Sequence, residues 1–237
     1  MGAQARQAGL EQLERRLGHV FRDRALLERA LTHRSVGGAS ASNERLEFLG
    51  DAVLGLVVAE LLYREHPQAE EGELSRRRAW LVRESTLARA AAGLGLGELL
   101  RLGPGELRSG GHRRASILSD ALEALIGAVY LDAGLEAARA VVTRVLDEPL
   151  RRQPQAEALK DPKTRLQEWL QARKRPLPQY RVVAVAGEEH ARRYTVACEV
   201  EGLDEATVGE GSSRRRAEQA AAQAALARLE GSKKGET

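Results

Sequence analysis

Three acids, Glu44, Glu47 and Asp51, open the otherwise apolar stretch N-E-R-L-E-F-L-G-D-A-V-L-G-L-V-V-A-E-L-L-Y, Asn43 to Tyr63. On a helix turning about 100° per residue they fall within about 60° of one another. The same stripe runs on through Gly55, Val58 and Leu62, so it stops being polar after Asp51. A carboxylate at the mouth of a buried stripe is costly unless it is paired, hydrogen-bonded or bound to metal. A second segment, I-L-S-D-A-L-E-A-L-I-G-A-V-Y-L-D, repeats the design: Asp120 and Glu123 lie three apart, with Gly127 and Leu131 further along their stripe. Glycine there lets another helix approach closely. Two such helices packed together would gather Glu47, Asp51, Asp120 and Glu123. Four carboxylates cannot all stay ionised together without cations. An all-oxygen ligand set suits Mg²⁺ or Mn²⁺, with waters completing the shell. Two such ions can activate a water and stabilise the leaving oxygen in phosphodiester cleavage. The alternative is that these acids cap helices or pair with Arg45, Arg76 and Arg83, and on the residues alone both readings stand.

The elements that would position these acids follow from periodicity. Apolar residues at three- and four-residue steps predict helices over 10–17, 24–32, 43–65, 73–80, 84–100, 116–131 and 135–150, with glycine-rich punctuation from Gly103 to Gly111. The polar, aperiodic stretch Arg151 to Pro162 reads as a linker. Beyond it the pattern changes. A short amphipathic helix (Lys163–Ala172) precedes three alternating segments, Tyr180–Val185, Arg193–Val200 and Glu205–Gly211, and an alanine-rich helix closes the module at Ser213–Leu229. The fold expectation is an all-α N-terminal domain followed by a small α+β module of order α-β-β-β-α. The domain bounds read as 10–134, a final helix over 135–150, a linker over 151–160, and the module over 161–231, with a frayed tail.

Composition limits the setting. The chain has 237 residues, 43% hydrophobic and 30% charged, which is ordinary globular composition. The net charge is only +3, so a nucleic-acid surface has to come from how charges are placed. A single cysteine, Cys198, forms no internal disulfide and suits a reducing, cytoplasmic setting. No apolar run reaches the roughly 18 residues of a membrane span. The glycine-rich loop lacks the G-K-[ST] ending of a phosphate-binding loop, which argues against a nucleotide cofactor. Its Arg108, His112, Arg113 and Arg114 could instead touch phosphates. Ser109 and Cys198 lack partners for nucleophilic work. Trp80 and Trp169 read as core residues, and His33 as a packed structural histidine with a general base as the alternative.

The string N-E-R-L-E-F-L-G-D resembles the signature of the bacterial ribonuclease III family. A-L-T-H-R-S, E-G-E-L-S-R-R-R-A-W-L-V, L-G-P-G-E-L-R-S-G-G and the Asp120 segment resemble that family in the same order. The second module resembles its double-stranded-RNA-binding domain, and together the likeness spans about residues 10 to 230. The resemblance implies a metal-dependent endoribonuclease acting on duplex RNA, such as stems in ribosomal and some messenger and transfer RNA precursors. It implies Mg²⁺ (Mn²⁺ substituting) held by Glu47, Asp120 and Glu123. It assigns Asp51 and Glu123 the catalytic role with a metal-activated water, and places Glu44 and Glu71 near the scissile strand. Phe48 matches an aromatic that plugs into the partner of a homodimer, whose two sites would leave short 3′ overhangs with 5′-phosphate and 3′-hydroxyl ends. A non-cleaving duplex-RNA-binding regulator is the other functional class, and it has no need of the acid set.

For RNA, Arg214, Arg215 and Arg216 fall in the first turns of the last helix, where guanidinium groups beside a helix N-terminus suit phosphates. By the family pattern Thr164, Gln167 and Glu168 meet one minor groove, and the turn around His190 meets the next. From Asp161 onward 14 basic residues stand against 12 acidic. Aromatics are only 3% of the chain, too few for stacking platforms on single strands, whereas duplex RNA is read through shape, phosphates and 2′-hydroxyls. Glu218 stands where this motif commonly has a basic residue.

Overall fold

The computed structural model describes residues 2–36, 41–188 and 191–231. They form two compact units, the first ending at Gln153 and the second beginning at Pro154. The first is all helical: α1 (Ala3–Leu17), α2 (Arg24–Ala30), α3 (Glu44–Glu65), α4 (Glu71–Leu81), α5 (Glu84–Gly93), α6 (Leu96–Leu99), α7 (Pro104–Arg108), a 3₁₀ turn at Gly111–Arg113, α8 (Ala115–Val145) and α9 (Asp147–Arg151). In the second, α10 (Ala156–Leu159) and α11 (Pro162–Gln171) precede β1 (Gln179–Ala186), β2 (Arg193–Glu199), β3 (Thr207–Gly211) and α12 (Arg214–Gly231).

The core of the first unit is a helix crossing, with α3 and α8 packed along their apolar faces. Leu54, Val57, Val58 and Leu62 from α3 meet Ala121, Leu122, Leu125 and Val129 from α8, all essentially inaccessible to water. The backbones approach so closely that only glycine fits. A Cβ on Gly50 would lie 1.8 Å from the carbonyl oxygen of Glu123, and one on Gly127 would lie 2.3 Å from that of Leu46. Gly55, on the acid stripe, faces open space instead. The predicted partner of Gly127 is therefore Gly50, one turn inside the acid-bearing end.

Several expected boundaries move, each for a local reason. The helix expected over 84–100 breaks at Gly95, whose φ of 76° is left-handed. The helices expected over 116–131 and 135–150 run together as α8 across a kink at Gly134 (φ 81°, ψ −175°), and a new helix starts at Asp147. Within the glycine punctuation Pro104 starts α7, because its fixed φ suits a first helical position. The linker stretch contains α10. Trp80 and Trp169 are only half-buried; each sits at the rim of its core with an arginine over its ring, Arg83 at 5.0 Å and Arg173 at 3.8 Å. The tail beyond Gly231 lies outside the described residues.

In the second unit the antiparallel sheet has order β1-β2-β3, with a register irregularity between Val182 and Ala184. Its inner face, with Cys198 and Val196 buried, is covered by α11 and α12 through Leu166, Leu170, Ala221, Ala225 and Leu226. Asp161 caps α11, its Oδ1 accepting from the backbone amides of Lys163 (3.0 Å) and Thr164 (3.1 Å). No helix among the described residues is long and apolar enough to cross a membrane.

Candidate active site

The crossing of α3 and α8 gathers the acids. Glu47 projects from the first turn of α3, and Asp120 and Glu123 from the second and third turns of α8. One carboxylate oxygen from each lies within 4.8 Å of the others. That spacing makes Glu47, Asp120 and Glu123 the residues that could hold one divalent ion. The donor set is oxygen only, which fits a hard divalent cation.

Burial and mutual repulsion set the protonation of this cluster. Burial pushes the Glu123 carboxyl up to about 7, and the charges of Asp51, Asp120 and Glu47 push the same way. Glu47 is raised by burial, then by Asp120 and Glu44, against the opposing charge of Arg34. Asp120 is raised chiefly by burial, partly offset by the Ser119 hydroxyl, which donates to it at 3.3 Å. Asp51 is exposed at the edge, within electrostatic reach of Glu123 and Glu47. These acids do not pair with Arg45, Arg76 or Arg83. The nearest arginine is Arg34, 3.4 Å from Glu44, whose other oxygen accepts from Ser42 Oγ at 3.2 Å.

A cleft of about 450 Å³ opens beside the cluster, lined by Glu44, Glu47 and Asp120 together with His33, Arg34 and Arg114. The T-H-R-S segment and Arg114 therefore belong to the site; in the sequence their signal is only a His-Arg pair just ahead of an acid-bearing helix. Arg114 is bound to Glu106 at 2.7 Å. Glu71 is not brought to the cluster within one chain. It opens α4, accepts from Ser75 Oγ at 2.7 Å, and lines a separate hollow with Tyr63 and Arg78.

Phe48 is 80% exposed. It begins a stripe with Ala52, Leu56, Ala59 and Tyr63 spanning about 80° of α3; Leu56 and Tyr63 are likewise exposed.

The RNA-facing candidates among the described residues of the second unit come from α11 and the start of α12, two helices that pack together. Lys163 Nζ and Arg214 Nε both donate to the nearly buried Glu218, at 2.6 and 2.8 Å. That acid, standing where a basic residue was expected, therefore ties the two helices together and occupies Arg214. Arg215 and Arg216 remain exposed, with Arg216 reaching Ser212 Oγ at 3.1 Å. Thr164 Oγ1 donates to Asp161 at 3.0 Å, Gln167 is exposed, and Glu168 pairs with Lys160. His190 lies outside the described residues.

A helical domain whose main crossing gathers carboxylates, followed by an α-β-β-β-α module with arginines at a helix start, defines a nuclease class built for duplex RNA. The ribonuclease-III-like family matches residues 23–150, and the double-stranded RNA binding motif matches residues 162–229. The chain is 57% identical to the ribonuclease 3 of Pseudomonas fluorescens, over 93% of this chain and 95% of that one. It is 53% identical to that of Vibrio cholerae, over 93% and 97%. Among solved structures, the nuclease domain of ribonuclease III from Campylobacter jejuni covers 59% of this chain and 96% of its own, with 47% identity and a TM-score of 0.57; that structure shows flexibility in a region involved in dimer formation. The chain belongs to the ribonuclease III family and carries that family's double-stranded-RNA-binding domain. It is an endoribonuclease of duplex RNA.

Proposed function

We propose that this chain is a Mg²⁺-dependent homodimeric enzyme of the cytoplasm that cuts both strands of RNA stems. The products are 5′-phosphate and 3′-hydroxyl ends with short 3′ overhangs, and the substrates include ribosomal RNA precursors and some messenger and transfer RNA transcripts. The observation that carries the reading is the three-carboxylate cluster at the helix crossing, with Asp51 at its edge. Glu47, Asp120 and Glu123 would hold the ion, which when bound would supply water activation and stabilisation of charge developing around phosphorus. Glu123, whose carboxyl is pushed up by burial and by its acidic neighbours in the absence of metal, would be held as a carboxylate by the ion and takes the catalytic role there. Asp51, open to solvent, acts with it at the strand being cut. Glu44 keeps the cleft wall acidic and engages Arg34. Mn²⁺ fits the same oxygen set.

The α3 stripe supports the homodimer, since an isologous contact buries Phe48 twice. Tyr63 lies on that stripe next to Glu71, so pairing also offers Glu71 a place near the substrate. Each Phe48 buried contributes about 1.5–3 kcal/mol. Phe48→Ala is therefore expected to weaken the dimer by about two orders of magnitude or more, with the fold of each protomer intact. Sedimentation velocity across a dilution series checks this, and an unaltered dimer would remove Phe48 from the interface.

Thr164, Gln167 and Glu168 with the segment around His190 serve groove recognition, and Arg214, Arg215 and Arg216 serve the phosphates. The double variant Arg215→Ala/Arg216→Ala is expected to lower the slope of log affinity against log salt by about two, roughly one for each phosphate no longer neutralised. Filter binding in Ca²⁺ measures it. The direct test of the activity is a labelled perfect RNA duplex incubated with Mg²⁺ or with Ca²⁺. Staggered cutting in Mg²⁺ alone supports the enzyme, and binding without cutting in both would make the chain a regulator.

A further inference from the structure

Four acids beside an RNA strand repel it, so the cleft needs donors aimed at the phosphodiester, and the fold prepares one with care at His33. The T-H-R-S segment is stitched to a loop far along the chain. Thr32 and Arg101 form a parallel bridge, the His33 amide donates to the Arg101 carbonyl at 3.0 Å, and the Arg101 amide donates to that of Leu31 at 2.8 Å. One turn on, the Gly103 amide donates to Ser35 Oγ at 2.9 Å, and a Cβ on Gly103 would lie 2.3 Å from the Ser35 carbonyl oxygen.

This stitching fixes the imidazole. Its Nδ1 receives the Ser35 backbone N–H at 3.2 Å and lies 2.8 Å from Ser35 Oγ. A backbone amide only donates, so Nδ1 is the lone-pair nitrogen and the neutral ring carries its proton on Nε2. Ser35 Oγ, accepting from Gly103, has its own hydrogen free for Nδ1. The Nε2–H has no partner among the described residues, while the ring lines the cleft with Asp120 and Glu47. Arg34 and Arg114, the arginines lining that cleft, already engage Glu44 and Glu106.

We propose that His33 is a further catalytic residue, whose Nε2–H donates to a non-bridging oxygen of the phosphodiester seated against the carboxylates, and that Ser35 is the positioning residue that fixes its tautomer. The inference rests on the nuclease reading of the cluster. The test is single-turnover cleavage of a labelled duplex by full-length protein at saturating concentration in Mg²⁺, with duplex affinity in Ca²⁺ and thermal midpoints alongside. His33→Leu and His33→Gln are of similar size, and only the second can donate. His33→Leu is expected to lose about tenfold to a hundredfold in rate with affinity within about twofold. His33→Gln is expected to recover most of that loss, and Ser35→Ala, which loses the hydroxyl but keeps the backbone amide on Nδ1, to fall between. Equal rates for the Leu and Gln variants, whether both fast or both slow, would overturn the proposal. Cleavage by Glu123→Gln in the same assay would instead overturn the assignment of the carboxylate cluster as the cleavage centre, on which the inference rests.

Discussion

Glu123→Gln is expected to cut duplex RNA at least about a thousandfold more slowly in Mg²⁺ while binding it in Ca²⁺ as the unmutated protein does. A thousandfold is about 4 kcal/mol of transition-state stabilisation, within what a positioned divalent ion supplies. The amide keeps the shape of the carboxyl but offers one neutral oxygen and no base. Single-turnover cleavage with a parallel binding curve measures both halves, and persistent cleavage would remove Glu123 from the centre. Without metal the same change has the opposite effect on the fold. Glu123 titrates near 7 in the folded protein against an ordinary carboxyl value of 4.5. The native state therefore holds its proton more tightly, and stability present below about pH 4.5 is lost as pH rises through about 7. Partial exposure screens this repulsion, so the gain from Gln at pH 8 in chelator is expected to be modest, about 2–4 °C in Tm. Mg²⁺ at a hundred times its Kd adds about 2.7 kcal/mol to the unmutated protein, and less to the variant. Scanning calorimetry with and without chelator reads both signs.

Gly50→Ala is the second change with a large expected effect. The added methyl would sit 1.8 Å from one backbone atom of Glu123 and 2.5 Å from another, and backbone cannot rotate aside as a side chain can. Alanine's better helix propensity returns about 1 kcal/mol, but forcing α3 away from α8 costs about 3 kcal/mol or more. The expected net result is a Tm lower by several degrees. Because Glu47 and Glu123 would also move apart, cleavage is expected to fall about a hundredfold even where the protein stays folded, as misplacement by about 1 Å does. Gly55→Ala is the matched control: its methyl meets nothing within 4 Å, and its Tm is expected to hold or rise slightly. Equal behaviour of the two variants in calorimetry would show that the crossing tolerates a side chain.

Much of this architecture is legible in the residues because it rests on local periodicity. The acids of α3 and α8 declare themselves by sitting at three- and four-residue steps at the heads of apolar stripes, and alternation marks β1 to β3. What stays hidden depends on partners distant in sequence. Nothing near Gly50 says that Glu123 faces it, and Gly55 looks equally suited in the bare pattern. His33 looks like packing because the loop that pins it, Arg101 to Gly103, lies far along the chain. Gly95 and Gly134 are visible as glycines, yet only their left-handed backbone shows that one ends a helix while the other bends one. Glu218 reads as a missing phosphate ligand until Lys163 and Arg214 are seen to converge on it.

The contact at Gly50 and Gly127 also constrains how this enzyme can change over evolutionary time. The spacing of Glu47 from Glu123 is set where two main chains touch, not by the rotamers of bulky neighbours. Residues elsewhere in the core can be exchanged for others of similar volume without altering that spacing, whereas any residue larger than glycine at the contact alters it at once. Drift in the surrounding helices, for warmth, cold or a new binding partner, is thereby uncoupled from the chemistry. The freedom to retune the cleavage centre itself is confined to the few side chains that line the cleft.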